Sequence, residues 1–299
     1  MISRRSLLML ATASGVARAW APESHGIQLG VVTGIGGDTD AAIARVRRLG
    51  FPTCFLSTGD IRPELAPQLR DALARYSVQA TALESLGPGQ MVWDLVRGPV
   101  TIGLVPPATR QGRIDHLRRT SDLAAAVGIP YVQTHTGFIP EIETDPLYEG
   151  AVAAIRAVAS HCKTNRQEFL METGQETPVT LLRAIQDSGL DNVGVGLDTA
   201  NLILYGKGNP VDALDVLGKY IRSVHAKDGL FPTNPRQLGR EVPIGTGRVD
   251  FVRVISRLIE LGYAGAISIE REIRGPQQEA EILQAKMFLQ NIINKGAAA

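Results

Sequence analysis

Four segments decide how this chain folds: FLMETGQET at 169–177, VGLDTANLILYG at 195–206, SVHAKDG at 223–229 and ISIERE at 267–272. Each opens as a short apolar run and then presents a residue able to donate to a divalent cation: Glu172, Asp198, His225 and Glu270. The intervals are 26 residues from Glu172 to Asp198 and 27 from Asp198 to His225, the length of one strand plus one helix. The last interval, 45 residues to Glu270, spans a longer connection. Side chains that recur once per strand-helix unit are expected to converge at one rim of a parallel sheet.

The same alternation runs back to the N-terminus. Apolar runs at 27–33, 53–57, 79–84, 131–135, 169–172, 193–198, 221–225 and 266–270 read as eight strands. Between them apolar residues recur every three or four positions; in the helix expected after Asp250, Phe251, Val254, Ile255 and Leu258 share one face and Asp250 caps it. The last helix is expected to begin near Pro276. Strands alternating with helices imply parallel strands and right-handed crossovers, and eight units close into a single α/β domain, a (β/α)8 barrel. Its usual size of about 250 residues suits a chain of 299, and no GxGxxG segment favours a dinucleotide fold. Two connections, 85–112 and 227–249, are expected to be long loops after strands three and seven, on the face where such barrels build their sites.

Composition narrows the function. Apolar residues are 44% and charged residues 20%, which excludes fibrous and disordered classes. Basic and acidic residues balance at 31 against 30 and never more than two basic residues stand together, so no polyanion-binding footprint is visible and no nucleic-acid partner is expected. Cys54 and Cys162 read as buried small side chains. Residues 1–19, MISRRSLLMLATASGVARA, resemble a twin-arginine export signal: paired arginines, an apolar stretch from Leu7 to Val16 and a small-x-small site before Trp20. The stretch falls short of the roughly 20 residues that span a bilayer, and no lipidated cysteine follows, so no stable membrane anchor is expected. The domain plan is a signal at 1–19 and a barrel at 20–299, with export to the periplasm expected and a cytoplasmic location as the alternative. Removing the signal leaves 28 basic and 30 acidic residues, a net charge of −2.

Three carboxylates and one imidazole are mainly hard donors, suited to one divalent metal: Mn²⁺ first, then Mg²⁺ or Co²⁺, with Zn²⁺ also accommodated. Around them, His135 ends the fourth strand, Glu84 the third, Gln175 and Glu176 follow Glu172, and Lys227 follows His225. His135, Gln175, Asn201, Lys227 and Glu84 are taken as substrate contacts. The structural alternatives are a hydrogen-bonded supporting histidine, a loop-anchoring Glu84, Glu176 at the start of the next helix and a Lys227–Asp228 pair. Trp93 and Phe138 fall in loops of the same face, where an aromatic surface could stack on a sugar or simply pack the loop.

With GTGRVDF at 245–251 and HAKDG after strand seven, this order of motifs resembles the xylose isomerase-like TIM barrel superfamily of sugar phosphate isomerases and epimerases, over about 25–294. Exported members of unassigned specificity carry similar ETGQE, LDxANLILYG, HAKDG and ERE segments. The resemblance implies a metal-dependent isomerase or epimerase of a carbohydrate or polyol: the metal holds carbonyl and hydroxyl and stabilises an enediolate, while Glu172 and Glu270, ligands themselves, move the proton on opposite faces. It leaves a homo-oligomer open. The chain departs from the superfamily at Asn201, where a histidine often stands, and at Phe231, where ketose epimerases tend to have arginine. The first departure disfavours a trinuclear zinc nuclease. The second disfavours a simple ketose epimerase. The alternative activity is a 3-keto sugar or glycoside lyase or hydratase, which shares the enolisation step. A sugar-binding protein on a retired barrel is the non-catalytic reading.

Overall fold

The computed structural model describes residues 26–296. The export segment at 1–19 lies outside them. In chain order the elements are β1 (Gln28–Gly34), α1 (Thr39–Arg48), β2 (Thr53–Ser57), α2 (Leu65–Tyr76), β3 (Gln79–Glu84), α3 (Gly98–Thr101), α4 (Pro107–Val127), β4 (Tyr131–His135), α5 (Pro146–Thr164) and β5 (Glu168–Glu172). There follow α6 (Pro178–Ser188), β6 (Val193–Asp198), α7 (Asn201–Leu204), α8 (Pro210–Leu217), β7 (Ile221–Ala226), β8 (Asp228–Leu230), β9 (Arg240–Val242), α9 (Phe251–Glu260), β10 (Ala266–Ile269) and α10 (Pro276–Gly296).

Eight parallel strands close in the order β1-β10-β7-β6-β5-β4-β3-β2, the (β/α)8 barrel expected from the alternation. Helix starts follow the capping chemistry: Asp38, Asp145 and Asp250 accept from the backbone N–H groups of Ala41, Leu147 and Arg253 at 3.0, 2.8 and 3.1 Å. Gly128 and Gly189 end α4 and α6 at φ 88° and 68°, a conformation that costs glycine little. The helices bury their apolar stripes on the outer face of the barrel, and both cysteines are buried and free. Among the described residues no helix is long and apolar enough to cross a membrane.

The long connections are more ordered than their sequence suggests. The first holds α3, and α4 begins at Pro107, because Pro107 fits the first turn of a helix, where its missing N–H is not needed. The second folds into the antiparallel β8–β9 ribbon. The final strand stops at Ile269, one residue short of expectation, yet the Glu270 N–H still donates to the Ala226 carbonyl at 3.0 Å and holds that residue in line.

Candidate metal centre

Strand register assembles the centre. His135 pairs with Glu172 across β4–β5, and Asp198 pairs with His225 across β6–β7. Neighbouring strands are about 4.8 Å apart, so registered side chains on one face touch the same small volume. One donor atom each from Glu172, Asp198, His225 and Glu270 lies within 4.8 Å of all the others. A second set, Glu84, His135 and Glu172, meets the same limit and shares Glu172.

Each donor is braced by groups from other segments. Glu172 accepts from Gln133 Nε2 at Oε2 and from Asn201 Nδ2 at Oε1, both at 3.0 Å. Asp198 Oδ1 accepts from the N–H groups of Ala200 and Asn201 at 2.7 Å each, and the His225 ring packs edge-on to Phe55 at 4.2 Å between centroids. Asp198 Oδ2 and both ring nitrogens of His225 are buried with no hydrogen-bond partner. Unsatisfied buried polar atoms are rare because each costs desolvation energy. Asp198 Oδ2 and one nitrogen of the His225 ring, beside two further carboxylates, fit a bound cation.

Burial works against every charge here, and neighbours decide the balance. Against burial, the imidazoles of His135 and His225 hold Glu172 down to about 2. Lys227 and then His225 keep Glu270 well below the usual carboxylate range in the same way. Burial prevails at Glu84, helped by the charge on Glu172, and at Asp198; both are pushed well up. Burial would lower His225 and Lys227, but the surrounding carboxylates outweigh it and raise both.

The other residues singled out in the sequence divide. His135 sits at the rim, its Nδ1 3.0 Å from Gln175 Nε2 and its Nε2 3.5 Å from Glu172 Oε2. Gln175 and Glu84 are buried beside it. Asn201 faces Glu172 rather than open space. Lys227 Nζ lies 3.2 Å from Glu272, 3.5 Å from Glu270 and 3.9 Å from Asp198, so the alternative of a pair with Asp228 does not hold. Asp228 instead accepts four backbone N–H groups, from Gly229, Gly245, Gly247 and Val249 at 2.8–3.1 Å, and so ties the glycine-rich segment to strand seven. A side chain at Gly247 would overlap that carboxylate. Glu176 takes no part in capping: Thr177 caps α6 and Glu141 accepts the Thr177 N–H. Phe138 packs edge-on to Tyr205, while Trp93 packs edge-on to His135 at 5.0 Å.

Gln133 is the residue the sequence reading missed. Its signal was present: in β4 it shares a face with His135, and an amide inside a barrel requires a reason. Gly196, registered with Glu172, leaves the space, since a Cβ there would overlap the Gln133 amide.

Among solved structures the chain is similar to a xylose isomerase domain protein from Planctomyces limnophilus, 32% identical over 92% of this chain and all of that one, with a TM-score of 0.86. A D-tagatose 3-epimerase-like protein shares the fold at 18% identity, covering 90% and 98% of the two chains with a TM-score of 0.71. Among curated proteins, the uncharacterized MJ1311 of Methanocaldococcus jannaschii is 27% identical over 197 residues, which are 61% of this chain and 64% of that protein's length. The model of the xylose isomerase-like TIM barrel matches residues 43–292, most of the chain and all four metal-capable side chains, and it is to this family that the chain belongs.

Proposed function

We propose that the chain is a divalent-metal-dependent isomerase or epimerase of a carbohydrate or polyol derivative, moving a proton at the carbon next to a carbonyl. The observation that carries this reading is the convergence of Glu172, Asp198, His225 and Glu270 with buried atoms left unpartnered. The likeness of the fold to a D-tagatose 3-epimerase-like protein points the same way. These four residues would hold the ion, with Mn²⁺, Mg²⁺ or Co²⁺ suited to the donor set. When bound, such an ion polarises the substrate's carbonyl and adjacent hydroxyl.

The protein's own groups handle the proton. Gln133 and Asn201 keep Glu172 oriented and the imidazoles of His135 and His225 keep it ionised, while Lys227 faces Glu270 and keeps it ionised, so both carboxylates are able to accept a proton from carbon and return it. His135 and Gln175 form a polar wall for substrate hydroxyls, and Lys227 adds positive charge where an oxyanion would develop. Burial of the whole set strengthens each of these interactions.

The test is proton NMR in D₂O with free ketoses, inososes and 3-keto glycosides, with Mn²⁺ added for turnover and removed before the spectrum is read. Deuterium should appear beside the carbonyl on an unchanged skeleton, and EDTA should stop it. Loss of a substituent would reassign the chain as a lyase. Metal binding without exchange on any of these substrates would overturn the enolisation reading.

A further inference from the structure

The connection from β3 to α4 is built around one buried arginine. Arg113 is fully buried, and its guanidinium donates to four backbone carbonyls: Pro88 at 3.0 Å, Gly103 at 2.6 Å, Thr101 at 2.8 Å and Gln90 at 3.4 Å. Gly87, at φ 78°, lies where a Cβ would collide with the Arg113 side chain, and Gly89, at φ 94°, lies where a Cβ would press on Thr109. Within that frame the Val92 N–H donates to Thr101 Oγ1 at 3.1 Å, and Asp94 Oδ1 accepts the Val96 and Arg97 N–H groups at 2.9 and 2.5 Å. The loop is therefore bound along its length and presents a fixed shape.

What it presents is apolar. Trp93 is 43% exposed, Val96 52% and Val100 70%. Ile142 and Phe231, in the connections after β4 and β7, add exposed apolar surface at the same end of the barrel. Trp93 does not stand over the metal ligands. Its ring meets His135, and His135 in turn is 3.5 Å from Glu172, so the indole lies one imidazole further out than the donor cluster. A sugar ring seated against Glu172, Glu270 and His135 would carry its outward substituent onto the indole. An exposed aromatic on a preformed loop gives up hydrophobic burial that a ligand's apolar group would restore.

We propose that Trp93 is the wall of a subsite for an aromatic or alkyl group attached to the reacting sugar, so that the substrate is a glycoside or a similar conjugate and not a free monosaccharide. The subsite rests on the sugar-isomerase reading and extends it. Arg113 acts through the loop, as a positioning residue for Trp93.

The experiment uses the full chain with Trp20→Phe, which leaves Trp93 as the single tryptophan of the two in the sequence. With Mg²⁺ present, 4-nitrophenyl glucoside and galactoside should quench its emission saturably, and glucose, galactose and 4-nitrophenol should bind at least about tenfold more weakly. Trp93→Ala should lower affinity for the aryl glycosides about tenfold more than for the free sugars, the size of one aromatic contact, and Trp93→Phe should recover most of it. Equal binding of free sugar and aryl glycoside, or equal losses for both in Trp93→Ala, would overturn the subsite. Proton exchange on 3-keto sugars separates the two readings. Aryl-selective, Trp93-dependent binding without exchange would sink the isomerase reading and leave the subsite standing, whereas exchange without aryl selectivity would do the reverse.

Discussion

At the N-terminal end of the barrel, no side chain lining a groove of about 450 Å³, Tyr131, Arg222, Leu258 and Tyr263 among them, leaves a buried polar atom without a partner. Arg222 Nε donates to both oxygens of Glu168 at 3.1 and 2.9 Å, and the Tyr263 hydroxyl donates to the Ala266 carbonyl at 2.7 Å. At the C-terminal end, Asp198 Oδ2, both nitrogens of His225, Glu84 Oε1 and Gln175 Oε1 are buried and unpaired. The groove is thus chemically quiet. Volume reports where a molecule could fit, whereas unpaired buried donors and acceptors report where the fold has accepted a desolvation cost, and a costly arrangement of that kind is the stronger pointer to function.

Substitutions at the two ends should separate in the same way. Glu270→Gln removes a donor and a proton acceptor together, and should lower the deuterium-exchange rate by about 10² to 10⁴ while the protein stays folded by circular dichroism. A loss under tenfold would mean that Glu270 is not an acid/base group. Gln133→Leu removes one hydrogen bond from the Glu172 carboxylate without touching substrate. Exchange should fall about 10- to 100-fold, as for other groups that orient a metal ligand, and metal affinity measured by isothermal titration should fall with it. An unchanged rate would show that Asn201 alone suffices to hold Glu172. The smallest effect is expected at the quiet end: Arg222→Met breaks a half-exposed pair with Glu168 and should cost about 1 kcal/mol or less in a urea melt, with exchange kept within about twofold. A large loss of exchange there would undo the contrast between the ends.

Much of this was legible in the chain itself. The strands fell within about one residue of their expected bounds because each holds a short, mainly apolar run set off by turn residues, a local signal. The ordered pieces inside the two long connections were not legible, since α3 spans only four residues and β8 and β9 three each, too short for periodicity to show. A Lys227–Asp228 pair stood as the structural alternative because the two are adjacent in sequence. In space the lysine faces the carboxylates of the centre, while the aspartate faces a glycine-rich segment about twenty residues on, whose N–H groups no sequence pattern assigns to it.

The sequence alone determined the barrel and the set of four donors, because both follow from repetition: one strand and one helix per unit, and a metal-capable residue at or just beyond the end of each of four strands. The tertiary structure alone decided how those donors are held and what surrounds them. Gln133 and Asn201 meet Glu172 from 39 and 29 residues away, and Trp93 reaches His135 from another loop. Contacts of that kind depend on strand register and loop closure, which act through space and leave only faint marks, such as Gly196, in the order of residues.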